Sequence, residues 1–170
     1  CDDHLLALTL FAEKCSEWNC DFWVAFIDFE KAFNTIEHEF IWYALLEQNL
    51  PPEYVELLKR LYAGQSACVN AGCRSRSFNI DRGTKQGDAL STDLFNAVLE
   101  HSMRKLKAKW RRLRYGINVH GDLLQNLRFA DDLVIIGATR AQVKHMLEDI
   151  VCTLGECGLK LHFGKTQVMS

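Results

Sequence analysis

The chain has 170 residues, of which 48% are hydrophobic and 25% charged, with 2 prolines and a formal net charge of -2. This length and composition suit one globular domain over residues 1–170 and exclude a disordered or low-complexity chain. The apolar runs are far shorter than the roughly 18 residues that span a membrane, and the acidic start lacks the basic flank of a signal peptide. We therefore expect a nuclear or cytoplasmic protein that is not secreted and has no membrane partner.

The first elements are predicted from helical spacing followed by a continuous apolar run. Apolar residues recur at helical intervals in a first helix that ends near Trp18, with Asp2 or Asp3 as its cap. The run 22–27 is rich in aromatic and branched residues, which predicts a strand buried on both faces. That strand ends at Asp28.

The middle of the chain combines helical spacing with polar, strand-compatible alternation. Thr35, followed three residues later by His38, is an imperfect capping box for the next helix. The Pro51–Pro52 pair ends that helix and starts another. The predicted elements are a helix over 36–49, a helix that stops at Gly64, and an exposed hairpin formed by 66–71 and 76–81.

The last part of the chain begins with a long helix over 92–110, for which Ser91 is the predicted N-cap and Asp93 lies in the first turn. The elements predicted after it are strands over 115–119, 123–129 and 133–136, a helix from Thr139 to Gly158, and a strand over 159–163. Strands separated by helices, two pairs of them as hairpins, indicate an α+β fold with a mostly antiparallel sheet.

Two further features concern charge and cysteine. Residues 104–114 hold seven basic side chains, no acidic one and an embedded tryptophan, which fits a phosphate-tracking surface and equally a solvated helix face. The odd number of cysteines predicts reduced thiols. Six of them form C-x4-C pairs, which we interpret as buried thiols rather than zinc ligands because no companion His motif is near: Cys15/Cys20, Cys68/Cys73 and Cys152/Cys157.

Carboxylates stand where apolar strands end or turn. Asp28 closes the run 22–27, and Asp131 and Asp132 lie between two apolar strands. A charge at such a place must be paired or bind metal, although an isolated Asp-Asp is more often a simple turn. If these strands are neighbours, three carboxylates converge at one edge of the sheet, and such hard oxygen ligands suit two Mg²⁺ ions engaged in phosphoryl transfer.

Four motifs in order resemble those of reverse transcriptases of LINE-type, non-LTR retrotransposons. Residues 129–132 (FADD) resemble the catalytic hairpin, and 27–33 (IDFEKAF) resemble the first carboxylate motif. Residues 82–91 (RGTKQGDALS) are similar to the substrate-handling loop, and 158–166 (GLKLHFGKT) to the motif after the last palm helix. The resemblance implies a palm with part of the fingers, truncated at both ends, with the thumb absent.

The resemblance also implies a metal site. Asp28 and Asp131 would bind two Mg²⁺ ions, for which Mn²⁺ is an alternative, and Asp132 would support them electrostatically. The backbone carbonyl of Phe29 would complete the nucleotide-side metal.

The remaining implied roles concern substrates. Phe33 would pack beneath the sugar and exclude a 2′-hydroxyl, although a plain core Phe is an equal interpretation. Gln86 would touch the incoming nucleotide, and Gly87 would allow the backbone to approach the templating base pair. Lys165 would be a proton donor or charge partner for pyrophosphate. On the basic stretch, the candidates for template or primer binding are Arg111, Arg112 and Arg114.

The implied activity is RNA-directed DNA synthesis, with an RNA template, a DNA primer and deoxynucleoside triphosphates as partners. The alternative is a catalytically silent retroelement remnant that folds and only binds nucleic acid or protein. It is prompted by departures from the motifs, namely Asn34, Ala89, Thr92, His162 and Gln167. A further alternative is another palm enzyme, such as an RNA-dependent RNA polymerase or a nucleotide cyclase, because the carboxylate geometry is shared.

Overall fold

The computed structural model describes residues 2–18, 20–85, 87–129 and 132–170. The chain divides into two compact units. The first, called here the sheet unit, consists of the residues up to Glu30 together with Ser102–Ser170. The second, called the helical unit, is Lys31–His101. Whether the two together form the single domain expected from composition stays a prediction.

The sheet unit is built around a four-stranded antiparallel sheet with the strand order β6-β7-β1-β8. A separate hairpin, β4-β5, follows the long helix α5, whose last part belongs to this unit. The elements are α1 (Asp2–Glu17), β1 (Trp23–Ile27), α5 (Ala89–Arg112), β4 (Ile117–Val119), β5 (Asp122–Leu124), β6 (Asn126–Phe129), β7 (Asp132–Gly137), α6 (Arg140–Gly155) and β8 (Gln167–Met169).

The core of the sheet unit follows from the apolar character of β1 and β7. Val24 and Ala25 point to opposite faces of β1 and both are buried, which confirms a strand covered on both sides. Ile135 and Ile136 are buried in the same way on β7. Helix α6 packs against both strands and begins at Thr139, whose hydroxyl accepts a hydrogen bond from the Gln142 amide at 3.2 Å, as its sequence predicts.

The helical unit contains α2 (Ala32–Thr35), α3 (His38–Glu47), α4 (Pro52–Tyr62), the hairpin of β2 (Ser66–Ala67) and β3 (Phe78–Asn79), and the first part of α5. Helix α4 begins at the predicted proline pair, and Gly64 follows it in a left-handed conformation with a φ of 73°. The β2-β3 hairpin is largely exposed, as predicted, but its paired part is shorter than the sequence pattern suggested.

Three local predictions are wrong. Thr35 does not cap α3: it is the last residue of α2, and its hydroxyl donates to the Ala32 carbonyl at 3.4 Å. Ser91 lies inside α5, and its hydroxyl donates to the Lys85 carbonyl at 2.6 Å. The strand expected over 159–163 is reduced to a single bridge between Leu161 and Phe29, and β8 forms instead at residues beyond it.

The cysteine prediction holds in part. Cys15 and Cys157 are buried, and burial raises the pKa of the Cys157 thiol to about 11, which keeps it protonated. The buried interpretation is wrong for Cys20, Cys73 and Cys152, which are exposed. Among the described residues, no group of three or more His, Cys, Asp or Glu side chains could hold a metal ion. No helix in that part of the chain is long and apolar enough to cross a membrane.

Candidate active site

The carboxylate end of β1 lies at the end of the sheet where β7 begins. Ile27 pairs with Leu133 in the antiparallel register, so Asp28 and Asp132 are the next residues on the two neighbouring strands. Asp28 is half-buried and Asp132 is exposed. The strands are therefore neighbours, as the convergence of the carboxylates requires. Asp131 lies outside the described residues, so its distance from Asp28 stays a prediction.

The backbone beside Asp28 is held by the segment that precedes β8. The His162 amide donates to the Asp28 carbonyl and the Glu30 amide donates to the Lys160 carbonyl, both at 2.8 Å. These two hydrogen bonds bracket Phe29, which is buried and faces Leu161. The first carboxylate motif is thus fixed on one side by β7 and on the other by the segment from Lys160 to His162.

Lys165 reaches the Asp28 carboxylate. Its ammonium nitrogen lies 3.2 Å from Asp28 Oδ2, and the two side chains are 67% and 39% exposed. A turn presents it, because the amides of Lys165 and Thr166 both donate to the His162 carbonyl at 3.0 Å. Although an isolated lysine is usually solvated, this one is also paired with Asp28, the carboxylate of the first motif. Its role as a proton donor or charge partner stays a prediction.

Asp28 Oδ2 has an incomplete environment. The atom is buried, and within the described residues it has no partner with hydrogen-bond geometry, so the Lys165 contact is an ion pair without a well-directed hydrogen bond. A buried carboxylate oxygen in this condition normally binds a cation or a donor. Asp28 Oδ2 therefore has the chemistry of an oxygen ligand for a hard metal ion.

Phe33 lines a pocket in the helical unit. Its ring is half-buried and tilts against the buried ring of Phe95, with centroids 5.0 Å apart. The pocket has a volume of about 370 Å³ and is lined by Phe33, Gly87, Asp88, Ala89, Ser91 and Thr92. Phe33 thus packs on the core with one side and faces an open space with the other, which fits a wall residue better than a plain core residue.

The loop beside this pocket is closed by its own hydrogen bonds. In addition to the bond from Ser91 to Lys85, the Asp88 amide donates to the Lys85 carbonyl at 3.2 Å, and the Asp88 carboxylate accepts from the Leu90 amide at 3.1 Å. Gly87 has a φ of 90°, and an added Cβ would meet nothing within 4 Å. The positive φ favours glycine at this position, and the space beside Gly87 is open. Gln86 lies outside the described residues.

The basic stretch 104–114 is divided between the surface and the core. Arg111, Arg112 and Arg114 are exposed, so they remain candidates for phosphate contacts. The embedded tryptophan does not belong to that surface: Trp110 is 0% exposed, and its Nε1 donates to Asp149 at 2.9 Å. The prediction of a tryptophan within the nucleic-acid surface is wrong. Burying the large indole ring is favourable, so Trp110 faces the core although its sequence neighbours are basic.

Sequence reasoning missed two residues that organise these regions. Asp149 accepts from Trp110 and also pairs with Lys109 at 2.6 Å. His38 contacts the carbonyl of Gly83, 45 positions further along the chain, at 2.7 Å. Each partner lies many positions away, so no local pattern could reveal either contact.

Comparison with known proteins agrees with this arrangement. The family model described as reverse transcriptase (RNA-dependent DNA polymerase) matches residues 4–170. The chain therefore belongs to the reverse transcriptase family, whose members are RNA-directed DNA polymerases.

Relatives define the branch of the family. The chain is 33% identical over 144 residues to the Pol polyprotein of the type-2 retrotransposable element R2DM of Drosophila melanogaster, covering 84% of this chain. It is 31% identical over 140 residues to the Pol polyprotein of the type-1 element R2 of Nasonia vitripennis, covering 82% of this chain. It spans 13% of the length of each polyprotein. This is a reverse transcriptase segment of the non-LTR retrotransposon kind.

Solved structures show the fold. A telomerase from Candida tropicalis, in complex with a TWJ fragment of telomeric RNA, matches with a TM-score of 0.69 and 14% identity, over 99% of this chain and 29% of that one. The telomerase from Candida albicans in the corresponding complex matches with a TM-score of 0.69 and 12% identity, over 94% of this chain and 29% of that one. The α+β fold with an antiparallel sheet is that of a reverse-transcriptase palm.

Proposed function

We propose that this chain carries the catalytic centre for RNA-directed DNA synthesis, with Asp28, Asp131 and Asp132 as the carboxylates that bind two divalent metal ions. The β1-β7 register carries the proposal. Ile27 pairs with Leu133, so the next residue on each strand, Asp28 and Asp132, lies at the same end of the sheet. Asp131 directly precedes Asp132 in the chain.

The residues at this end fit a magnesium ion. The buried Oδ2 of Asp28, which has no hydrogen-bond partner among the described residues, is a hard oxygen ligand, and the adjacent aspartates would add further carboxylate oxygens. When bound, two such ions supply charge stabilisation for the attacking and leaving oxygens of phosphoryl transfer. The Phe29 carbonyl is the proposed additional ligand on the nucleotide side.

The chain's own residues would hold and orient the substrates. Lys165, which already pairs with Asp28, would turn its ammonium group to the triphosphate and stabilise the negative charge of the pyrophosphate that leaves. Phe33 would form the wall beneath the sugar, and Gln86 and Gly87 would meet the nucleotide and the templating base. Arg111, Arg112 and Arg114 would bind phosphates of the RNA template or the DNA primer.

The test replaces single carboxylates in the full-length protein that contains this chain. Asp28→Asn and Asp131→Asn should each lower deoxynucleotide incorporation on a primed RNA template by about a thousandfold or more, because a lost metal ligand removes several kcal/mol of transition-state stabilisation. Asp21→Asn is the matched control, since this exposed residue precedes the other end of β1 and should leave incorporation unchanged.

Metal binding gives a readout that does not depend on turnover. Titration with Mn²⁺, followed by its paramagnetic resonance signal, should show weaker binding in Asp28→Asn than in Asp21→Asn. Equal incorporation in all variants would refute the carboxylate assignment. An unmodified protein that folds, binds nucleic acid and adds no nucleotide would instead support the silent-remnant alternative.

A further inference from the structure

His38 connects two functional segments of the helical unit. It is the first residue of α3, and its Nε2 lies 2.7 Å from the carbonyl oxygen of Gly83. A carbonyl oxygen can only accept, so Nε2 carries the proton and donates. Gly83 belongs to the loop that leads to Gln86 and Gly87, whereas His38 follows the segment that contains Phe33.

The imidazole is held in its orientation by aromatic neighbours. The Tyr62 ring meets it edge-on with centroids 5.2 Å apart, and the Trp42 ring lies at 6.1 Å. Both of these rings are buried. Burial raises the pKa of the Tyr62 hydroxyl, so Tyr62 remains a neutral partner of the imidazole. The ring of His38 is therefore fixed before any ligand is present.

The Gly83 peptide is fixed on its other sides by the segment after Phe33. The Gly83 amide donates to the Ile36 carbonyl at 2.7 Å, and the Thr84 amide donates to the Phe33 carbonyl at 2.6 Å. Backbone contact is so close that a Cβ on Gly83 would lie 2.7 Å from Asn34 Cα. Gly83 and Thr84 are both buried. The carbonyl of Gly83 consequently needs a donor from the protein, and His38 supplies it.

The loop beyond Gly83 is closed at its far end by the bond from Ser91 to the Lys85 carbonyl. Its position relative to Phe33 therefore depends on the anchors at Gly83 and Thr84. Gly87, Asp88 and Phe33 together line the pocket of about 370 Å³. One wall of the pocket, Phe33, lies on the segment before His38, and the opposite wall, at Gly87 and Asp88, lies on the loop after Gly83. A small movement of Gly83 would therefore change the width of this pocket.

We propose that His38 is a positioning residue for nucleotide selection: by donating to the Gly83 carbonyl, it sets the distance between Phe33 and the loop at Gly87, and so the space available to the sugar. The inference rests on the proposed function, because it takes the pocket to be the site of the incoming deoxynucleotide. His38 itself contacts no substrate in this proposal.

The kinetic test compares two variants in the full-length protein. His38→Phe keeps an aromatic ring and removes the donor, whereas His38→Gln places an amide N–H at a similar reach. In His38→Phe, we expect the KM for a deoxynucleotide to rise about tenfold with a smaller change in kcat, and ribonucleotides to be admitted more readily, because a buried carbonyl is left unpaired. His38→Gln should restore most of both properties.

The matched control is His145→Phe, since His145 is an exposed histidine on α6 that contacts the Tyr115 hydroxyl. It should leave both kinetic constants unchanged. Equal defects in His38→Phe and His38→Gln would overturn the proposal, because ring packing rather than the donor would then matter. Unchanged KM and sugar discrimination in His38→Phe would overturn it as well.

Two spectroscopic measurements separate this inference from the polymerase proposal. Amide hydrogen exchange at Thr84 should be about tenfold faster in His38→Phe than in His38→Gln, whether or not the unmodified protein extends a primer. In the unmodified protein, nitrogen NMR of the His38 ring should show a proton at Nε2. An inactive protein that shows this exchange difference and this ring proton would refute the polymerase proposal but support the hydrogen bond from His38 to the Gly83 carbonyl. If His38→Phe does not fold, the NMR measurement alone decides: a His38 ring protonated only at Nδ1 in the unmodified protein would overturn the hydrogen bond to Gly83.

Discussion

The sheet unit has two charged regions that differ in solvent exposure. At the carboxylate end of β1, Asp28 follows a buried strand, and its backbone carbonyl is hydrogen-bonded to the segment that precedes β8. In the part of the chain that the structure describes, its buried Oδ2 has the Lys165 ammonium as its ion-pair partner. In the basic stretch at the end of α5, Arg111, Arg112 and Arg114 are exposed to solvent. A buried charge lowers stability unless it is paired or binds a metal ion, so its presence points to a function. An exposed charge costs little free energy, so its presence alone does not indicate a binding site.

The same contrast explains which charges the sequence identified. An aspartate after five apolar strand residues is unusual enough to be informative. Seven cations at the end of a helix and just beyond it are compatible with a binding surface and with ordinary solvation. Experiments on each region should therefore give effects of very different size.

After the carboxylates themselves, the largest effect expected from this comparison is at Lys165. Lys165→Gln should lower kcat for deoxynucleotide incorporation by about a hundredfold, because the ammonium beside Asp28 is the proposed proton donor or charge partner for pyrophosphate. Lys160→Gln is the matched control: its side chain is exposed and only its backbone carbonyl takes part in the pairing. Steady-state primer extension measures both. Equal rates for the two variants would remove Lys165 from the site.

An intermediate effect is expected where the basic stretch enters the core. Asp149→Ala should lower the free energy of unfolding by about 1–3 kcal/mol, because it leaves the buried indole N–H of Trp110 without its acceptor. Asp122→Ala removes an acid that pairs with Arg111 at 3.6 Å, where both side chains are largely exposed, and should cost less than about 0.5 kcal/mol. Urea unfolding compares the two. Equal losses would show that burial does not separate the two acids.

The sequence predicted the elements whose signal is local and the family whose motifs are contiguous. The apolar residues of β1, the proline pair before α4 and Thr139 at the start of α6 each carry their signal within a few positions. The residues of β8 are exposed and have no strand-like burial pattern, and they form a strand because β1 offers an edge. Likewise, Ser91 looked like a cap, but its hydroxyl bonds to the Lys85 carbonyl.

The candidate site divides in the same way. Asp28, Phe33 and Lys165 were predicted from motifs, and the structure gives each a local environment that suits its proposed role. His38 and Asp149 were not predicted as organising residues because their partners are distant in sequence. Long-range hydrogen bonds of this kind depend on the folded arrangement and leave no periodic pattern.

The smallest effect concerns the exposed arginines. Replacing Arg111, Arg112 and Arg114 together by Ala should weaken binding of a primed template and reduce the slope of log K against log salt by up to about 2.7, if each contacts one phosphate of a duplex. The corresponding Lys triple variant keeps the charge and should keep most of the slope, so it separates charge from side-chain shape. Because all three side chains are exposed, stability should hardly change in either variant. Fluorescence anisotropy at several salt concentrations measures the slope. A slope unaffected by the Ala variant would mean that these arginines form a solvated helix end, and the binding surface would have to be sought elsewhere.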